Sequence, residues 1–148
     1  MYNEIVIDHF NNPRNVGELR GCNGIGTSKS KEYGDVVKLF LKVNTNVVIE
    51  EASFKTVGNV ATIAISSALT EKLVGLTVDK ATKLTAADLC ELVGGLPEGK
   101  KYSAIIVKEA VDDAVKNYRK RLMKGAGLHK TILKPELITK IANMKKKK

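Results

Sequence analysis

The chain has 148 residues, 43% apolar and 28% charged, with a mean hydropathy of −0.12: the size and mix of one compact domain able to bury a core. It is too apolar for intrinsic disorder, and no apolar run approaches the roughly 18 residues of a membrane span. The net charge of +9 is unevenly placed, since residues 1–115 carry 13 Lys and Arg against 15 Asp and Glu, whereas residues 116–148 carry 12 against Glu136 alone; that argues against a nucleic-acid-binding fold throughout.

In chain order, Ile5 with His9 and Val6 with Phe10 at i,i+4 predict a short helix over residues 2–10 with one apolar side. Asn11-Asn12-Pro13 stops it, and Gly17, Gly21, Gly24 and Gly26 mark an irregular or extended stretch, with a weak strand at about 23–30. Val37, Leu39, Leu41 and Val43 alternate with Lys38 and Lys42, a half-exposed strand. Asn44-Thr45-Asn46 supplies a turn, and residues 47–57 read as the returning strand of a hairpin. The period then changes. Ala61, Ile65, Ala68, Leu69 and Leu73 form a helical stripe closed by Gly75, and Thr77 and Thr85 each precede a short helical stretch. Ser103 opens the longest helix, with Val107, Val111, Ala114, Tyr118 and Leu122 inward, and Gly125-Ala126-Gly127 breaks it. Lys134-Pro135-Glu136 starts a last helix running to Met144. Strands first and helices after predict an α+β domain, a three-stranded antiparallel sheet with helices on one face. We place it at residues 1–124, with a basic helical extension over 125–148.

Cys22 and Cys90 are too few and too far apart for a disulfide framework or a Cys-rich metal site. Acidic residues stand near the start where a secretory signal would carry a basic flank, so the expected compartment is the reducing cytosol.

Several stretches carry a resemblance. Residues 7–17 read Ile-Asp-His-Phe-Asn-Asn-Pro-Arg-Asn-Val-Gly, and residues 34–39 read Gly-Asp-Val-Val-Lys-Leu. Phe54-Lys55-Thr56-Val57-Gly58, the 66–71 stretch Ser-Ser-Ala-Leu-Thr-Glu and Leu96-Pro97 follow in order. Over residues 1–122 the chain resembles the IscU/NifU-type scaffold proteins of iron–sulfur cluster assembly. The resemblance implies a scaffold on which three cysteines and a neighbouring histidine hold a cluster or zinc. At those positions this chain has Tyr33, Asn59, Tyr102 and Ser103, and of the family's metal-site groups only Asp35 is retained.

The chemistry makes that loss decisive. Clusters are held chiefly by thiolates, because soft anionic sulfur donates strongly to iron. A phenol with a pKa of about 10 and neutral Ser and Asn oxygens are poor substitutes. The expectation is therefore no cofactor and no metal, with no enzymatic activity: the chain shows no nucleophile–base pair, phosphate loop or motif-placed carboxylate pair. Asn59 and Ser103 both read as helix N-caps, so the substitutions keep the cap and discard the metal, with Tyr33 filling the vacated volume. Cys90 reads as a small residue in or near the core; Cys22 reads the same way, or as a single displaced ligand. His9 is expected on the helix surface or at a partner contact, and His129 in a solvated loop.

The family resemblance also implies partners: a cysteine desulfurase or a scaffold paralogue. A dedicated Hsp70-type chaperone docks on Leu-Pro-Pro-Val-Lys in one branch of the family, and Leu96-Pro97-Glu98-Gly99-Lys100 keeps three of those five residues. The leading reading is a scaffold-like protein that acts by protein contact without building a cluster. The alternatives are a metal or cluster carrier using Asp35, Cys22 or a second chain, and a polyanion- or RNA-binding module built on the basic end. That end otherwise serves as a solvated tail, or as a contact for an acidic partner or a membrane surface. It has no stacking aromatics for single-strand recognition.

Overall fold

The computed structural model describes residues 1–125. The helix α1 (Glu4–Asn11) leads into a sheet of β1 (Gly24–Lys29), β2 (Val36–Val43) and β3 (Ile49–Val57). Then come α2 (Val60–Leu73), α3 (Val78–Lys83), α4 (Ala86–Leu92), a 3₁₀ turn at Glu98–Lys100 and α5 (Tyr102–Gly125). The sheet is antiparallel in the order β1-β2-β3, so the α+β architecture is the expected one. The expected helix at 134–144, His129 and the basic extension beyond Gly125 lie outside the described residues.

Register sets the buried face. Leu39 pairs with Gly26 and Phe54, and Leu41 with Gly24 and Ala52; with Val37 and Val43 these side chains point into the core. The core is covered by α5 over β1 and β2 and by α2 against β3. The opposite face is less wet than alternation implied. Phe40, between Lys38 and Lys42, is also buried, with the Lys38 Nζ 5.6 Å from its ring centroid.

The weak strand owes its place to its glycines. A Cβ on Gly26 would stand 2.2 Å from the Ala110 carbonyl oxygen, and one on Gly24 would stand 2.9 Å from that of Ala114. Only bare Cα atoms let α5 lie this close. As an edge strand, β1 presents unpaired backbone donors. They are met by α5: Ile25 N–H donates to Asn117 Oδ1 (2.9 Å) and Thr27 N–H to Asp113 Oδ2 (2.8 Å). One turn earlier, Glu109 accepts from the Ser28 hydroxyl at 3.0 Å. Residues 109, 113 and 117 form one i,i+4 stripe, which acts as the missing neighbouring strand.

Three expectations need correcting. First, α1 buries Val6 and His9, whereas Ile5, Ile7 and Phe10 remain 47%, 41% and 37% exposed. His9 is thus an interior residue, and its Nδ1 lies 2.8 Å from Ser67 Oγ on α2. The motif around it is a clasp: Arg14 N–H donates to the same Ser67 hydroxyl (2.9 Å) and Asn15 Nδ2 to Thr70 Oγ1 (3.0 Å). Asn15 and Gly17 then bracket Phe54, exchanging backbone hydrogen bonds along the outer edge of β3. Second, Val47 is not a strand residue. It adopts φ +64° as the last turn residue, after Asn44 Oδ1 has accepted from Asn46 N–H and Val48 N–H. Third, Ser103 does not cap α5, because the helix already begins at Tyr102.

Candidate functional site

Five residues from three separate segments meet at one end of the sheet. Tyr33 and Asp35 lie on the turn between β1 and β2. That turn is closed by Ser30 N–H to the Asp35 carbonyl and Gly34 N–H to the Ser30 carbonyl, both 2.8 Å. Gly34 takes φ +78°, which a side chain would resist. Asn59 caps α2, its Oδ1 accepting from Thr62 N–H at 3.1 Å, as its position before the helix predicted. Tyr102 and Ser103 occupy the first turn of α5. The positions singled out in the sequence are therefore neighbours in space.

What they form is a hydrogen-bonded, stacked cluster. The rings of Tyr33 and Tyr102 stack with centroids 3.9 Å apart and planes 20° from parallel. Asn59 Nδ2 donates to the Tyr102 hydroxyl, so this one amide serves both the helix end and the aromatic pair. Beneath them Asp35 is 3% exposed, and its Oδ2 accepts from the Thr62 hydroxyl at 2.5 Å. Thr62 Oγ1 also lies 2.8 Å from Ser103 Oγ. Its one proton is given to the carboxylate, so the Ser103 hydroxyl donates to Thr62. Ser103 is fully buried. Gly58 makes room for the arrangement, since a Cβ there would stand 2.8 Å from Asp35 Oδ2.

This donor set does not suit a soft metal. The one carboxylate already has an oxygen engaged by a short charge-assisted hydrogen bond. A phenol ligates as phenolate, and both tyrosines are pushed away from that form. Burial and the Asp35 charge raise Tyr102, and the Glu32 carboxylate raises Tyr33. Among the described residues no group of three or more His, Cys, Asp or Glu side chains could hold a metal ion. Tyr33 stays 53% exposed, so it lies as a lid on Tyr102 and does not fill a buried void.

The cysteines lie elsewhere. Cys22 precedes β1 at the end of the sheet where Asn23 Nδ2 donates to the Val43 carbonyl. Asp35 precedes the other end of β2, on the order of 25 Å away along the strand. Cys22 and the Asp35 cluster therefore lie toward opposite ends of the sheet. Cys90, half-buried on α4, faces a groove of about 280 Å³ with Ala86, Ala87, Lys101 and Ile105, and burial raises its thiol pKa. Leu96-Pro97-Glu98-Gly99-Lys100 forms the loop and 3₁₀ turn that lead into α5.

The decisive comparison is with a family model, the NifU-like N terminal domain, which matches residues 1–125. The chain belongs to this family. Family relatives include the iron-sulfur cluster assembly scaffold protein IscU 1 of Archaeoglobus fulgidus, 37% identical over 141 residues and covering 92% of each chain. The IscU scaffold protein of Aquifex aeolicus is 44% identical over 118 residues, 79% of this chain and 75% of its own. The same fold is seen in the crystal structure of a nitrogen-fixing NifU-like protein (N-terminal) from Brucella abortus. It has a TM-score of 0.65 at 19% identity, covering 80% of this chain and 94% of that one.

One participant escaped sequence reading. Thr62 joins Asp35 to Ser103, yet as a threonine in the first turn of a helix it resembles many others. The only signal was its place three residues after the Asn59 cap, which says nothing of its tertiary partners.

Proposed function

We propose that this NifU-like domain is a scaffold-type protein of iron–sulfur cluster assembly that builds no cluster itself and acts through protein contacts in the cytosol. The scaffold half rests on family membership and on relatives named as cluster assembly scaffolds. The other half rests on a single observation: the converging family ligand positions offer one carboxylate, which a threonine hydroxyl already engages. Neither zinc nor a cluster finds a thiolate there. Ser103 also has no sulfur with which to accept a persulfide, so sulfur transfer from a desulfurase to this position has no acceptor atom. What remains for a partner to recognise is the family body, with a tyrosine stack where the ligands would be. The partners proposed are a cysteine desulfurase or a scaffold paralogue.

Anaerobic reconstitution with iron and sulfide tests the first half. The native chain stays colourless and free of iron, sulfide and zinc, whereas the combined Tyr33→Cys, Asn59→Cys, Tyr102→His and Ser103→Cys variant takes up a cluster. Stoichiometric cluster in the native chain would refute the reading. The protein-contact half is tested by titrating the chain against a purified desulfurase and a cysteine-bearing scaffold. Micromolar binding to either supports it, and binding to neither sinks it.

A further inference from the structure

We infer that the C-terminal half of α5 is a docking face for an acidic helix of a protein partner, with Lys116, Lys120, Lys124 and Arg121 as its contact residues. All four are exposed. The three lysines recur every four residues, so their stems line one side of the helix at about 6 Å intervals. Like charges at i,i+4 repel and weaken a helix, and only Lys124, in the last turn, has the helix dipole in its favour.

Among the described residues, the neighbouring carboxylates of α5 are committed elsewhere. Asp112 pairs with Lys108 at 2.8 Å, and Asp113 accepts from the β1 edge. The remaining local cation, Arg119, is held by Asp79 at 2.6 Å. Residues 114–125 contain no acid. Among the described residues, then, the ion pairs of this region leave these four cations out. A second helix carrying carboxylates at the same four-residue spacing would meet the stripe point for point, converting repulsion into charge-assisted pairing.

The surroundings separate this occupant from two others. Tyr118 is buried at 5% exposure and no aromatic follows it in the sequence, so the face has no platform on which a nucleic-acid base could stack. Leu122 is half-buried and Met123 buried, so the described part of the face offers no fully exposed apolar side chain for insertion into a bilayer. The inference deepens the protein-contact reading but is read out separately from it. A chain that took up a cluster would refute that reading and leave the α5 measurement unaffected.

The test uses the full chain and an alanine-rich helical peptide with Glu at every fourth position. Its controls are a peptide of identical composition with the Glu residues in one block, a short poly(U) RNA and vesicles one-third phosphatidylserine. The spaced peptide is expected to bind more tightly than the blocked one, and its affinity should fall roughly tenfold or more between about 50 and 200 mM salt. Lys116→Glu, Lys120→Glu and Lys124→Glu together should abolish binding; Lys145→Gln through Lys148→Gln together should preserve most of it. If the triple variant fails to fold, Lys120→Glu alone is expected to weaken the spaced peptide several-fold. Any of four results overturns the proposal: equal affinity for the two peptides, no loss in the α5 variants, complete loss in the tail variant, or RNA or vesicles bound in preference to the spaced peptide.

Discussion

Thr62 illustrates how one hydroxyl can hold a site. It donates to a buried carboxylate and accepts from Ser103, linking the β1–β2 turn, α2 and α5. Thr62→Val keeps the volume but strands the Asp35 carboxylate without its donor, so we expect a loss of about 2–3 kcal/mol in urea unfolding. Ser103→Ala removes only the far end of the chain and should cost about 1 kcal/mol or less. A reversed order would mean that the Asp35 carboxylate does not depend on Thr62. His9 makes a second residue-level prediction. Burial and the Arg14 charge lower its pKa below 6.5, and the Glu71 carboxylate, 3.8 Å from Nε2 but half exposed, only partly opposes them. The folded state therefore takes up a proton less readily than the unfolded chain. Stability from this residue is complete above pH 6.5 and is lost as the pH falls through 6.5 toward the lowered folded value. Urea midpoints measured from pH 7.5 down to 5.5 should decline in the native protein and decline less in His9→Gln.

At the scale of elements, the joint between β1 and α5 is the most demanding contact. Gly26→Ala would place a methyl group 2.2–2.3 Å from the backbone of Ala110 and Ala114. Backbone cannot swing aside as a flexible side chain can, so helix and strand must separate, at a cost of about 3 kcal/mol or more. Asp113→Ala leaves one edge donor to water and should cost about 1 kcal/mol. Equal losses in the two variants, compared by thermal or urea unfolding, would show that the edge hydrogen bonds, rather than the close approach, hold α5. The sequence made this joint hard to see. A Gly-Ile-Gly run marks extended chain or a turn, and only the partner helix explains why a side chain is excluded. The helical pattern of α1 was plain in the same way, but which side it buries was not. His9 is accommodated in the interior, where Ile5 and Ile7 are not, because Ser67 Oγ, itself held by the Arg14 N–H, partners its Nδ1 there.

For the whole molecule, what the sequence alone determined is considerable. Period-2 alternation in β2, period-3.6 stripes in α2 and α5, and the cap residues Asn59, Thr77 and Thr85 placed the elements, because those signals are local and each residue carries its own part. The absence of thiols at Tyr33, Asn59, Tyr102 and Ser103, where the family resemblance would place ligands, was likewise legible, since a missing sulfur needs no coordinates to be recognised. The split between a nearly neutral body and a cationic end was visible as arithmetic. Tertiary structure decided the rest. It brought Tyr33 onto Tyr102 and Asn59 against both Tyr102 and α2, put Cys22 toward the opposite end of the sheet, and turned Ser103 from an expected cap into a buried hydrogen-bond donor. It also showed which carboxylates of α5 are taken up by the β1 edge, and thereby which α5 lysines have no ion pair among the described residues. The reason is common to all of these. Local pattern fixes what a segment becomes, but the partner of a polar side chain is set by segments tens of residues away, and their approach depends on packing that no single stretch encodes.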